Sequence, residues 1–330
     1  MIPHQKFKVI YDTDPGVDDA MALYFALAHP KIELIGVTTC YGNVSVEQAT
    51  VNALYLLSMT GLSIPVCSGA AKPLLKYQED RPLHIHGEDG LGNLGDRFKF
   101  SNSVDPRSSA QFIVEMARTH PNKIDLVAVG PLTNLSMALA LEPMLPTLLK
   151  SVVIMGGAIT EPGNVSAVSE ANIWNDPDAA KHVFHSNFKL TMVGLDVTHR
   201  LMLPLSLFKS LSHHHKHSAF NTLYRSVSFY VDFHTRYHPQ LAEINGCFGH
   251  DILAFIALVS PDFFRTESGF IDVITNGVEK GRTVFSSLKD LNFANFPFKK
   301  RISPIKVCLQ VDHLQSLALI EATLRQPWLL

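Results

Sequence analysis

Short apolar runs rich in β-branched residues alternate along this chain with segments whose apolar residues recur at helical spacing. Phe7–Thr13 reads as a strand, and Asp18–His29, with Ala20, Leu23, Leu27 and Ala28 on one side, reads as a helix. Ile32–Cys40 is a second strand, and Val46–Met59 a second helix that Gly61 stops. The pattern recurs in Ile124–Val129 followed by Leu132–Leu141, in Val152–Met155 followed later by Asp178–Phe184, and in Lys189–Val193. Only a mostly parallel sheet covered by helices on both faces accommodates such an order, which predicts an open, Rossmann-like α/β fold. The strand-rich stretch Gly269–Val311 is expected to form a small appended β element, and Gln315–Leu324 a closing helix. No composition break, repeat or low-complexity tract divides residues 1–330, so the chain is read as one domain. A functional site is expected in the loops at the carboxyl ends of the parallel strands.

Composition narrows the classes. The chain has 330 residues, 28 Lys+Arg against 30 Asp+Glu, and a net charge of −2, so no global field would recruit nucleic acid or an acidic membrane surface. Apolar runs stay short of the ~20 residues a membrane span needs, and Met1–Lys8 lacks the apolar core of a secretory signal, so a cytoplasmic protein is expected. Cys40, Cys67, Cys247 and Cys308 make no CxxC pair and are read as buried free thiols. The run His213–His217 is read as solvated surface without chemistry, because adjacent histidines fall on different faces of a helix.

The most informative stretch is Asp12-Thr13-Asp14-Pro15-Gly16-Val17-Asp18-Asp19, four carboxylates in eight residues where the first strand meets the first helix. Gathering that much negative charge is costly unless something positive compensates it. A hard divalent cation does so, and calcium, which accepts irregular shells of oxygen ligands, fits best. Helix capping accounts for one or two of these residues, not all four. An EF-hand loop is excluded, since Gly16 stands at position five and Leu23 at position twelve. A phosphatase of the haloacid-dehalogenase kind also opens on DxD after a first strand, but it expects Thr or Val where Gly16 stands.

Val9–Leu23 resembles the opening DTDPGxDD signature of the inosine-uridine nucleoside hydrolase family. Further blocks follow in that family's order. They include Gly42-Asn43-Val44-Ser45, His86-Gly87, Val129-Gly130-Pro131-Leu132-Thr133-Asn134, Met155-Gly156-Gly157, Gly163-Asn164, Glu170-Ala171-Asn172, Gly194-Leu195-Asp196-Val197-Thr198, His250-Asp251 and Gly281-Arg282-Thr283-Val284. The resemblance implies hydrolysis of the N-glycosidic bond of ribonucleosides with a tightly held calcium. It implies Asp14, Asp19, Asp251 and the Val129 carbonyl as metal ligands, and Asp14 as general base as well. Asp18, Asn43 and Asn172 match sugar-binding residues, Asn164 and Glu170 match those on the 5′ side of the ribose, and Met155 packs beneath the ring. His250, at a pKa near neutrality, matches a residue beside the nucleobase that protonates it on departure. His86 matches a base-side histidine on a mobile glycine-rich loop, Leu83–Asp96, the plain alternative being a solvated loop histidine. Asp12 is expected to support the loop rather than touch substrate.

Base preference is expected to lie in Tyr230–Phe248, where the resemblance is poorest. His234, Tyr237 and His238 are candidates to stack on or bond a base, with exposed helix surface the competing reading. The Gly-Asn-Val-Ser block resembles broadly acting ribonucleoside hydrolases and implies loose base preference. Trp174 is read as core, with a place on the cavity wall as the other reading. The resemblance also implies a homo-oligomer, dimer or tetramer. Two other functions stay open at this point: a DxD phosphatase, and a nucleoside-binding protein without turnover.

Overall fold

The computed structural model describes residues 6–75, 82–95, 97, 103–289 and 303–328. Eleven strands are formed among them: β1 Phe7–Thr13, β2 Ile32–Thr39, β3 Val66–Ser68, β4 Ile124–Ala128, β5 Ser151–Met155, β6 Leu190–Val193, β7 Met202–Pro204, β8 Gly246–Phe248, β9 Phe264–Val273, β10 Thr283–Ser287 and β11 Ile305–Val311. Nine make one sheet in the order β10-β9-β11-β6-β5-β4-β1-β2-β3, and β7 pairs with β8 in a separate two-stranded sheet. From β6 to β3 all neighbours run parallel. β11 joins parallel to β6, while β9 and β10 are added antiparallel. The expected β element is therefore continuous with the central sheet; residues 290–302 of that stretch lie outside the described residues.

Strand periodicity explains the layers. Val9 and Tyr11 of β1 and Val153 and Met155 of β5 enter one core, while Ile10, Val152 and Ile154 enter the other. The first core is covered by helices Val17–Ala28, Val46–Ser58, Ser218–Tyr237, Ile252–Val259 and His313–Leu324, and the second by Ser109–Thr119, Thr133–Leu141 and Pro177–Phe184. Ile252–Val259 is buried at every position, as its wholly apolar sequence requires. After β3 the chain returns to the other side of β1 and builds β4, β5 and β6 outward. The order thus reverses between β1 and β4, and a crevice opens at their carboxyl ends.

The four cysteines are buried and free, as expected. The run 213–217 is largely exposed, as expected for His213, His214 and Lys216, but three of its imidazoles have partners. His215 Nε2 lies 2.6 Å from the carbonyl of Leu324 and its ring stacks on Phe220, while His214 Nε2 lies 3.3 Å from the carbonyl of Arg325. These imidazoles meet the carbonyls left over at the end of the last helix, and His217 caps the start of Ser218–Tyr237 by accepting from the amide of Ala219. No described helix is long and apolar enough to cross a membrane.

Candidate active site

The acidic loop is held open by its own hydrogen bonds. β1 ends at Thr13, whose hydroxyl donates to Asp19 Oδ1, while the amide of Gly16 donates to Asp19 Oδ2 at 2.8 Å and starts the helix. Gly16 is required by crowding, since a Cβ there would stand 2.6 Å from His86 Nδ1 and 2.8 Å from Asn43 Nδ2. Asn43 follows β2 and grips both neighbours: its amide donates to Asp14 Oδ2 at 2.7 Å, and its side chain donates to Asp19 Oδ2 at 3.1 Å. Asp14 Oδ1 and Asp18 Oδ1 are buried without a hydrogen-bond partner. Asp251, entering the apolar helix Ile252–Val259, closes the group, and one oxygen each of Asp18, Asp19 and Asp251 fall within 4.8 Å of one another.

Burial raises the pKa of all four carboxyls, and repulsion from Asp19 adds to it for Asp14 and for Asp18, which is pushed to about 8. Four carboxylates cannot all ionise here without a nearby positive charge, so the trio is a possible metal site. Its compact membership differs by one residue from the expected set, since Asp18 stands in the trio and Asp14 behind it. The unpartnered Asp14 Oδ1 and Asp18 Oδ1, together with an all-oxygen donor set, fit a hard cation. Asp12 behaves as the expected support: Thr38 and Asn134 donate to its Oδ1 at 2.6 and 2.8 Å, and burial raises it to about 6.

A cavity of about 980 Å³ opens from this cluster. Asp18, Asn43, His86, Val129, Met155, Asn164, Glu170, Asn172, His250 and Asp251 all line it, whereas Asp14 and Asp19 are not among its walls. The residues from the β5 side are firmly tied. Glu170 caps a short helix, its Oε1 accepting from the amide of Asn172 and its Oε2 from those of Gly157 and Ile173. Asn164 Oδ1 accepts from the amide of Ala171 at 2.9 Å. Asn172 Nδ2 donates to the carbonyl of Val129 at 2.7 Å and to that of Met155 at 3.1 Å, so a carbonyl expected to face a metal already serves one donor.

The opposite wall is aromatic. Tyr230, Phe233, His234, Tyr237 and His238 come from one face of the helix Ser218–Tyr237 and its end, and His199, Phe248 and His250 from neighbouring segments. His86 ends a short helix, Leu83–His86, and is only 5% exposed, which replaces the solvated-loop alternative. Its ring stacks on Tyr230, and its Nδ1 accepts from the amide of Val17 at 3.3 Å, so the ring proton stands on Nε2. Burial lowers its pKa to about 3. His250 Nδ1 lies 2.8 Å from the hydroxyl of Thr198. Burial first, then His199 and the other imidazoles, lower His250 well below its ordinary value, which corrects the expectation of a pKa near neutrality. Trp174 is half-buried and lines the cavity with Lys280 over its ring, instead of filling the core. Of the candidates in Tyr230–Phe248, His234 is buried, and Tyr237, 67% exposed, stands at the mouth. His199 and Phe233 escaped the sequence reading; His199 directly follows the Gly194–Thr198 block, which was the available signal.

A carboxylate-lined pocket thus opens onto an aromatic wall at the switch point of a parallel sheet. Comparison with known proteins agrees. The sequence description of the inosine-uridine preferring nucleoside hydrolases matches residues 9–317. Probable uridine nucleosidase 1 of Oryza sativa is 36% identical over 323 residues, covering 97% of each chain. Among solved structures, a plant nucleoside hydrolase superposes with a TM-score of 0.90 at 33% identity over 97% of this chain and 99% of its own. A purine-preferring ribonucleoside hydrolase from Gardnerella vaginalis gives 0.88 at 31% over 96% and 98%. The chain belongs to the inosine-uridine preferring nucleoside hydrolase family and is an enzyme of ribonucleoside N-glycosidic bond hydrolysis.

Proposed function

We propose that this enzyme releases free base and ribose from ribonucleosides with loose base preference, by attack of a calcium-positioned water. The observation that carries the reading is the meeting of Asp18, Asp19 and Asp251, with unpartnered oxygens of Asp14 and Asp18, at one end of a cavity whose other end is aromatic. Asp14, Asp19, Asp251 and the Val129 carbonyl would hold the ion, with Asp18 beside it. When bound, calcium supplies the charge that keeps these carboxylates ionised and makes water and sugar hydroxyls more acidic.

Within this reading, Asp18, Asn43 and Asn172 bond the ribose hydroxyls, Glu170 and Asn164 hold its 5′ side, and Met155 packs against the ring. Water adds to the anomeric carbon as the C–N bond breaks, and Asp14 Oδ1 takes one of its protons. The bonding electrons leave with the base, and ionised side chains stabilise the oxocarbenium-like sugar between them. His250 Nδ1 lies 2.8 Å from the Thr198 hydroxyl, and in the tautomer this reading assigns, with the hydroxyl as donor, the neutral ring presents Nε2–H to the departing base nitrogen. A site made to bond hydroxyls disfavours 2′-deoxyribonucleosides, which leave its buried polar groups unpaired.

Base preference differs among relatives named for uridine and for purines, so the reading rests on the acidic end. The buried free thiols suit a reducing, cytoplasmic setting, and we take the enzyme to be a homo-oligomer of the dimer or tetramer kind. A panel of ribonucleosides assayed for reducing sugar in phosphate-free buffer tests the proposal. Ribose release from several bases, lost on chelation and restored by calcium, is expected. Strict phosphate dependence would make it a phosphorylase, turnover of p-nitrophenyl phosphate with magnesium a phosphatase, and binding heat without product a binding protein.

A further inference from the structure

The glycine-rich segment that carries His86 is tied to the acidic loop through a residue that the mechanism above does not use. Asn52 lies on the helix Val46–Ser58, is 0% exposed, and is not among the walls of the cavity. Its side chain makes four hydrogen bonds, the full complement of its two N–H donors and its two carbonyl lone pairs. Nδ2 donates to the carbonyl of Pro15 at 2.8 Å and to that of Asp89 at 2.9 Å, while Oδ1 accepts from Gln48 Nε2 at 2.8 Å and from Arg97 at 2.6 Å. Pro15 follows Asp14 in the acidic loop, and Asp89 stands three residues after His86. One buried amide thus joins two segments that meet nowhere in sequence.

Both partners are themselves fixed. The carboxylate of Asp89 accepts from the amides of Leu91, Asn93 and Leu94 and pairs with Arg97 at 2.9 Å, so the carbonyl that Asn52 grips belongs to a well-bonded turn. A second tie crosses on the other side of Gly16, where His86 Nδ1 accepts from the amide of Val17 at 3.3 Å. Gly90 permits the close approach: its φ is +76°, and a Cβ there would stand 2.7 Å from Val44, 2.8 Å from Asn52 Nδ2 and 3.1 Å from the carbonyl of Pro15. The gripped residues Pro15 and Val17 lie between Asp14 and the pair Asp18 and Asp19, so a shift in either tie moves carboxylates.

We infer that Asn52 is a positioning residue, which by donating to Pro15 and Asp89 together makes the shape of the acidic loop depend on residues 83–95 lying against it. The inference rests on the reading above of Asp14 and Asp19 as ion ligands. Groups that orient the ligands of a metal contribute about 10- to 100-fold to its affinity or to activity.

The test uses two variants, one on each side of the contact. Asn52→Asp keeps the size and the acceptor for Gln48 and Arg97, but sets a carboxylate oxygen against the carbonyls of Pro15 and Asp89. Gly90→Ala wedges the two segments apart without touching Asn52 itself. Both are compared with the unmodified enzyme by amide hydrogen exchange, by equilibrium dialysis with calcium, and by kcat and KM for inosine. Each variant is expected to speed exchange at least tenfold in residues 12–19 and in residues 83–95 together, with the strand Ile124–Ala128 unchanged. Calcium affinity is expected to fall by about 10- to 100-fold, with kcat lowered and KM raised. Exchange that quickens in only one of the two segments, calcium affinity within twofold of the unmodified enzyme, or a general quickening that includes Ile124–Ala128 would overturn the inference. If Asn52→Asp does not fold, Gly90→Ala carries the same three outcomes. If the unmodified enzyme neither holds calcium nor releases ribose, the hydrolase reading fails instead, and Asn52 is judged by the exchange pattern alone.

Discussion

The two ends of the cavity are built on opposite plans. At the acidic end nearly every polar side chain is committed: Asp19 takes three donors, Glu170 takes three, and Asn43 and Asn172 donate to their neighbours. At the aromatic end the contacts are ring on ring, with few hydrogen bonds. A preorganised polar cradle fixes the part of the substrate where charge develops, while a wall of rings accepts flat groups of differing outline. On the proposed reading, precision is thus concentrated where chemistry occurs, and tolerance where a leaving group is held.

The largest effect that would break this contrast is removal of the ion. Chelation is expected to abolish ribose release, and calcium to restore it. It should also expose the carboxylate cluster as a source of instability with a defined sign. In the cation-free protein Asp18 is raised by burial and by Asp19 from 3.8 to about 8. The folded state therefore holds a proton that the unfolded state has lost, and stability from this group falls as pH rises from about 4 through 8. Thermal midpoints in chelator should drop across that window more steeply than in calcium. Parallel pH curves in the two conditions would show that the acidic end holds no ion.

Asp14→Ala comes next, with an expected fall in kcat of about 10³-fold and weaker calcium retention by equilibrium dialysis. Asp14 Oδ1 is buried without a partner and lies so close to Gly130 that a Cβ there would stand 2.8 Å from it. Near-normal turnover would remove Asp14 from the reaction. At the aromatic end, His250→Ala is expected to cost about 10²-fold on inosine and much less on p-nitrophenyl riboside, whose leaving group needs no proton. Equal loss on both would mean that the ring orients the site without donating.

The same contrast explains how much was legible in the sequence. The acidic end is made by short segments, Asp12–Asp19 and Gly42–Ser45 at the ends of β1 and β2 and Glu170–Asn172 at the start of a short helix, where each residue's spacing to its own backbone fixes its role. Those blocks can be read locally, and the alternating strands that carry them gave the sheet. Asp18 joining the compact trio ahead of Asp14 depended on Asp251 arriving from more than 200 residues away, which spacing cannot encode. The aromatic wall is a surface of one helix meeting scattered rings, so His199 and Phe233 gained their meaning only from packing, while His234 was legible as a candidate and its burial was not. Trp174 was misplaced for a related reason: a tryptophan suits a core as well as a cavity wall, and the choice was made by the turn that brings Lys280 over its ring. His214 and His215 likewise acquired partners from the far end of the chain.

The finest test concerns the junction between the two plans. Thr198 ends the short helix Leu195–Thr198 and is fully buried, and among the described residues its hydroxyl makes the one hydrogen bond to the ring of His250. Thr198→Val keeps the branched shape and removes that hydrogen bond, leaving His250 Nδ1 without its partner. A lost hydrogen bond of this kind is worth about 1 to 1.5 kcal/mol, or roughly tenfold in rate. The expected result is a drop of about tenfold in kcat for inosine with KM nearly unchanged, and a smaller drop for p-nitrophenyl riboside. The Thr198→Val/His250→Ala double variant should be no slower than His250→Ala alone, because the hydroxyl acts only through the ring. Additive losses would instead make Thr198 a packing residue, and the aromatic end would then lack the oriented hydrogen-bond donor that the proposed mechanism assigns to His250.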